Sequence, residues 1–224
     1  MVWNGIIACY LFLAGMGAGS FAYATIAGWK NPDATKTKLA GMIVAIVAVA
    51  VGTLMLVVDA KAGLQNPARF FLLLTNWGSV MTWGVALLSA FLIAGFIDLI
   101  IMIRKKSTPK ALDYIMLVLA FGVALYTGLL LGVSNAYPLW NIAILPILFL
   151  VSALSTGFAA ATLFGQLAAK DEAGGITFHR TLVVWLPVIE LALVALLLIV
   201  TASTSGSGSA AAQATIASLL SGSY

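Results

Sequence analysis

The sequence predicts an all-α membrane protein, a multi-pass helical bundle with six readable transmembrane helices, and three observations carry that prediction. Hydrophobic residues make up 62% of the 224 and charged residues 8%, with mean hydropathy +1.12, whereas a soluble domain is about 45–50% apolar. Several apolar stretches are long enough to cross a hydrocarbon core of about 30 Å, which takes roughly 20 residues of helix. The alternating pattern of a closed barrel is absent, and lipid tolerates no other backbone with unpaired peptide groups.

Charged and turn-rich breaks bound six spans, approximately Trp3 to Gly28, Leu39 to Ala60, Gly78 to Ile103, Leu112 to Leu131, Trp140 to Leu167 and Thr181 to Val200. The opening MVWNGII lacks a basic region and a small-residue cleavage site, so the first span reads as a retained helix with Met1 as its start. The net charge of +4 marks topology before it marks a nucleic-acid or acidic partner, and no nucleic acid is expected. Lys30, Lys36, Lys38, Arg104, Lys105, Lys106, Lys110, Lys170 and Arg180 fall in connections on one side, and only Lys61 and Arg69 on the other. The positive-inside bias therefore puts the N-terminus outside.

A repeat is visible by eye. Leu11 to Gly28 laid over Leu148 to Gly165 matches at eight of eighteen positions. Both segments run from outside to inside, so the repeating unit would be four helices in parallel orientation. This divides the chain into a first four-helix unit at 1–135, the start of a second at 136–202, and a Ser/Gly/Ala-rich stretch at 203–224. That last stretch reads either as an outer tail capping the bundle or as the lead-in to two further helices.

Chemistry is constrained by scarcity. Cys9 is the sole cysteine and His179 the sole histidine. Intrachain disulfides and thiolate-held clusters are thereby excluded, and a membrane cytochrome b would lack its pair of facing histidines. His179, at the start of the sixth span, reads first as an interfacial residue and second as a proton-entry group. Nucleophile motifs, phosphate-cradling glycine loops and metal-binding helices are absent. Gly15, Gly17 and Gly19 read as close helix packing.

Polar residues gather instead at the outer ends. Trp3 and Asn4 open the first span, Asp59 closes the second, Arg69 lies in the connection that follows, and Asn76, Ser79, Thr82 and Trp83 enter the third. Asn135, Tyr137, Trp140 and Asn141 surround the next outer turn. At helical spacing Ser79 and Trp83 share a face. An interfacial aromatic belt with helix caps explains many of these residues, and Asp59 with Arg69 would also serve as a structural ion pair. Tyr126 is different. If the fourth helix runs to Ser134, it lies about 12 Å from the outer end, where a phenol needs a partner or a polar cavity. A lipid-soluble quinone would suit such a cavity, because its carbonyls need donors and its ring needs aromatic and aliphatic walls.

The run Tyr126-Thr-Gly-Leu-Leu-Leu-Gly132, then Pro138-Leu-Trp-Asn141 and Leu145-Pro-Ile-Leu-Phe-Leu-Val-Ser-Ala-Leu-Ser-Thr-Gly157, resembles the NrfD/PsrC family, the membrane subunits of polysulfide reductase-type complexes. Tyr10-Leu-Phe-Leu-Ala-Gly15, Asp59 followed by Pro67-Ala-Arg-Phe70, and Ser79-Val-Met-Thr-Trp-Gly84 extend the match, which runs from residue 3 to about residue 200. The resemblance implies a haem-free subunit, not an enzyme alone, of about eight helices in two four-helix bundles in the cytoplasmic membrane. It would exchange electrons between menaquinone or ubiquinone, bound as substrate, and a ferredoxin-like iron–sulfur subunit docked on the outer face. A molybdopterin enzyme or multihaem cytochrome would lie beyond that partner.

By this resemblance Tyr126 matches the tyrosine that hydrogen-bonds quinone, and the polar start of the first span is another wall of the site. A reductase member of the family has a histidine there and this chain has none, so Asn4, Asp59 or water would serve. The resulting candidate set is Tyr126 and Asp59 for chemistry, with Trp3, Asn4, Ser79 and Trp83 as further quinone contacts. Asp98 and Glu190 are acids within apolar spans, expensive in lipid and so candidates for a proton pathway. A relay would run from the inner face through Asp98 and Glu190 toward Tyr126. Alternatively Asp98 pairs with Arg104, and Glu190 is protonated within the bundle. Two other functions stay open, a proton or ion transporter and a passive anchor for a peripheral enzyme.

Overall fold

The computed structural model describes residues 5–59, 77–133, 140, 143–168, 177–203 and 209–221. These form α1 (Gly5–Lys30), α2 (Thr35–Asp59), α3 (Val80–Lys105), α4 (Lys110–Gly132), α5 (Leu145–Ala168), α6 (Thr177–Ala202) and α7 (Ser209–Ser221). No strand occurs among the described residues. The first six helices are long and apolar enough to cross a membrane, and they coincide with the six spans expected from sequence. The chain is a multi-pass integral membrane protein.

The centre of the bundle is α1, which packs against α2, α4 and α5. Its sequence explains why. Ala14, Gly15, Gly17, Ala18, Gly19, Ser20, Ala22, Ala24 and Ala27 are all buried, and such small side chains let neighbouring backbones approach from several sides where lipid gives no hydrophobic drive to associate. The closest approach is to α5. A β-carbon on Gly19 would fall onto the Ala153 carbonyl, and one on Gly157 would fall onto the backbone of Gly19 and Ser20. Ser20 Oγ donates to the Gly157 carbonyl at 3.0 Å, and these two residues correspond in the repeat, so the two similar helices cross at equivalent positions. A Gly157→Leu substitution must push backbone from backbone. We expect a loss of about 1–3 kcal/mol or more, measurable as a lower unfolding temperature of the purified protein in detergent.

Larger side chains of α2, α3 and α4 fill the space against α1. Phe21 meets Phe91 edge to face at 5.7 Å, within a cluster that includes Met42, Val49, Leu88, Met116 and Val123. On the other side of α1, Tyr23 meets Phe158 at 5.3 Å, and Leu186 of α6 closes that smaller cluster. The buried residues of α3 include Gly84, Leu88, Phe91, Gly95, Asp98 and Met102, alternating steps of four and three that define one continuous stripe. Its remaining large residues, such as Ile93, Phe96 and Ile97, are exposed, as suits a lipid-facing surface.

Several helix limits differ from the expected spans. The structure starts α2 at Thr35 and α4 at Lys110, up to four residues earlier than the apolar runs suggest, because a helix continues past the hydrocarbon limit as long as its polar residues find partners. It starts α5 at Leu145, later than expected, with Pro146 in the first turn where no N–H is required. The stretch expected to be a tail contains α7, whose alanines are strong helix formers and which packs on α6.

Candidate functional site

Tyr126 is 3% exposed and lies in a close arrangement of three helices. Its ring covers Gly84 of α3, where a β-carbon would collide with Cζ and Oη of the phenol. From α1, Tyr10 points its phenol at that of Tyr126. Tyr10 is fully buried, and its hydroxyl completes no hydrogen bond among the described residues. An unsatisfied buried hydroxyl costs about 1–3 kcal/mol, so the pair holds donor capacity that a third group could use. The other residues of the Tyr-Thr-Gly block serve packing. Thr127 Oγ1 turns back onto the Ala124 carbonyl at 2.6 Å, and Gly128 lets α4 cross the backbone of Leu145 and Pro146 at the start of α5. Because α4 ends at Gly132, Tyr126 is six residues from that end, about 9 Å along the axis, nearer than the expected 12 Å.

The other expected site residues are only partly gathered here. Trp3 and Asn4 lie outside the described residues, as do Arg69, Asn76, Asn135, Tyr137 and Asn141. Asp59 is the last residue of α2, and its side chain lies outside what is described, as does that of His179. Ser79 caps α3 without a side-chain bond. Trp83 differs from expectation. It is 53% exposed, stacks edge to face on Trp77 at 5.3 Å, and donates its indole N–H to the Trp77 carbonyl at 3.0 Å. The rotation of α3 is set by the stripe through Gly84, so Trp83, one residue earlier, is turned about 100° away. Gly84 and Thr82 face inward in its place.

At the opposite, basic end of the bundle the structure contains a centre that sequence reading misses. Lys38 Nζ lies 3.0 Å from Asp113 Oδ1 and 3.2 Å from Oδ2, with side chains 9% and 2% exposed. Asp113 also accepts from Trp29 Nε1 at 2.9 Å and from Thr108 Oγ1 at 2.7 Å, and Lys38 donates to Thr108 as well. The carboxylate is fully satisfied, the arrangement that makes a buried ion pair tolerable. A cavity of about 250 Å³ lined by Trp29, Lys38, Met102, Thr108 and Asp113 opens beside it. Lys38 reads as a topology marker in the sequence, and Asp113 falls at the edge of an apolar run. Their early position in α2 and α4 draws both one turn into the bundle.

Asp98 is 0% exposed and interacts electrostatically with Asp113 and Lys38, whereas Arg104 is exposed. Glu190 is half-buried on α6. Among the described residues α6 packs on α5 and α7 and makes no contact with α3, so the structure does not bring Asp98 and Glu190 together.

The architecture and its two polar ends define the class, a multi-pass helical membrane protein with buried phenols at one end and a buried ion pair at the other. The chain belongs to the NrfD family, whose model, described as "Polysulphide reductase, NrfD", matches residues 1–224. It is similar to one of the polysulfide reductase chains of Wolinella succinogenes, with 35% identity over 191 residues, 75% of this protein and 59% of the relative. It is also similar to protein NrfD of Escherichia coli, 32% identical over 73% of this protein and 59% of the relative. A tetrathionate reductase subunit of Salmonella typhimurium is 28% identical over 67% and 45%. The sequence therefore spans about three fifths of the length of the first two relatives.

Proposed function

We propose that this chain is the quinone-reactive membrane subunit of a respiratory oxidoreductase complex. Menaquinone or ubiquinone would bind as substrate at the Tyr10–Tyr126 end and exchange two electrons with a docked ferredoxin-like iron–sulfur subunit. A molybdopterin enzyme or multihaem cytochrome would stand beyond that partner. The observation that carries this reading is the buried phenol pair on α1 and α4, whose Tyr10 hydroxyl completes no hydrogen bond among the described residues. A quinone carbonyl is an acceptor, and a phenol in an apolar surround is the donor it lacks in lipid. Tyr126 would orient the carbonyl beside the phenol of Tyr10, with Asp59 or water handling protons and Asn4 as a further quinone contact. Trp3 and Ser79 remain candidate walls, and Trp83 belongs to the rim. Names of the relatives, polysulfide and tetrathionate reductase subunits, support assembly with catalytic partners.

Orientation follows the charge bias. With the nine basic residues on the inner side of the cytoplasmic membrane, the phenol end and the N-terminus face out. The crossing of α1 and α5 at repeat-equivalent residues supports a duplicated architecture in which 1–135 is one four-helix unit and 136–202 begins the second. Asp98 and Glu190 are the proposed acids for proton coupling.

Replacing Tyr126 with Phe tests the site. Loss of one neutral hydrogen bond is worth about 0.5–1.5 kcal/mol, so quinol-dependent turnover of the intact complex should fall by up to about tenfold. Unchanged turnover with unchanged KM for quinol would remove Tyr126 from the role assigned to it.

A further inference from the structure

Asp98 sits on the buried stripe of α3, and neither of its carboxyl oxygens has a hydrogen-bond partner among the described residues. Among those residues the backbone of α3 packs against α2 and α4, and α1 reaches it through Phe21 on Phe91. From these two helices the charged groups that act on Asp98 are Lys38 and Asp113. The other described charged residues at this end, Lys30, Asp33, Lys36, Arg104, Lys105, Lys106 and Lys110, are exposed.

Charge counting then decides the state of the site. Lys38 and Asp113 face each other at 3.0 Å, and Asp113 accepts four hydrogen bonds. An ionised Asp98 would add a second negative charge, without partner, to a core that also contains Met42, Met102 and Met116, and burial of an unpaired charge is met in proteins by neutralisation. Two carboxylates against one ammonium require one proton. We propose that Asp98, Lys38 and Asp113 form a proton-binding site that loads from the basic face, with the proton resident on Asp98 and Lys38 able to turn toward either carboxylate when it leaves. The exchange is a carboxylic acid releasing and regaining a proton, with no electron transferred.

The surroundings direct that exchange to one side. Met102 stands one helical turn from Asp98 on the same stripe and lines the 250 Å³ cavity that also meets Lys38 and Asp113. In the other direction Phe91 lies seven residues along, about 10 Å, and is locked edge to face on Phe21 beside the fully buried Leu88. This dry layer stands between the acid and the phenols. Its role as the loading step of energy coupling rests on the quinone reading above, whereas the proton site itself does not.

Infrared difference spectroscopy of the purified protein at rest, without quinone, reads the site directly. The wild type should show the C=O stretch of a protonated buried carboxyl, absent in Asp98→Asn. The distinguishing variant is Asp113→Asn. It leaves Lys38 without its counter-ion, so Asp98 should ionise to replace it and the band should be lost although Asp98 is present. Retention of a wild-type band in Asp113→Asn overturns the charge-balanced site, and this arm stands even if Asp98→Asn does not fold. In proteoliposomes of the complete complex, Asp113→Asn should lower the protons moved per electron. An unchanged ratio with the band lost overturns the coupling role. A wild-type complex with no quinol turnover overturns the quinone reading alone.

Discussion

Replacing Lys38 with Met should destabilise the protein by about 3–5 kcal/mol, the usual cost of removing one partner from a buried ion pair. The reason is geometric. Asp113 is 2% exposed and cannot turn to water, so the loss of Lys38 leaves a carboxylate held only by Trp29 and Thr108 with Asp98 still nearby. The double substitution Lys38→Met with Asp113→Leu should recover most of the loss, because an apolar pair of similar volume replaces charges whose attraction barely repays their desolvation. Thermal unfolding of the two variants and the wild type in one detergent checks this. A single variant as stable as the double would show that water reaches Asp113 and that the pair is an interfacial one.

How much of this is legible in the sequence depends on what kind of information each feature carries. The six spans depend on composition over 20 or more residues, a signal that survives ignorance of neighbours, and they are found where expected. The rotation of each helix depends on its neighbours. Ser79 and Trp83 share a helical face by spacing, but it is Gly84, with no side chain at all, that marks the face turned to Tyr126. A glycine is read from sequence as packing or flexibility, and only the position of the Tyr126 ring tells which. Tyr10 reads as part of a family motif and not as a site residue, since nothing in the sequence says that residues 116 apart bring their phenols together.

The ion pair is hidden for a related reason. A span that opens on Leu39 leaves Lys38 in a loop, and Asp113, the second residue of the span from Leu112, passes without notice. The tell-tale is a charged residue within one turn of an apolar span on two spans that begin at the same side. Asp98 is conspicuous because it interrupts an apolar run deeply. Its neighbours Lys38 and Asp113 are not, and Arg104, the pairing partner that sequence suggests, is exposed.

Gly84→Ala separates the two ends of the bundle most sharply. The added methyl would occupy the place of the Tyr126 ring, and the obstacle is the terminal part of a side chain, so the phenol must move while the backbones of α3 and α4 can stay. A displacement of about 1 Å in a group that positions a reactant costs on the order of 10²-fold, more than deletion of the hydroxyl alone. We therefore expect Gly84→Ala to reduce quinol-dependent turnover about a hundredfold, and to do so without altering the protonated-carboxyl band of Asp98, which lies fourteen residues and about 21 Å further along the same helix. If α3 instead shifts as a rigid rod to relieve the clash, both readouts change together. That result would identify the stripe from Gly84 through Phe91 to Asp98 as the mechanical link between the phenol pair and the proton site. A variant with full turnover would mean that the Tyr126 ring does not rest on Gly84 in the working protein, and the quinone site would have to be sought away from this contact.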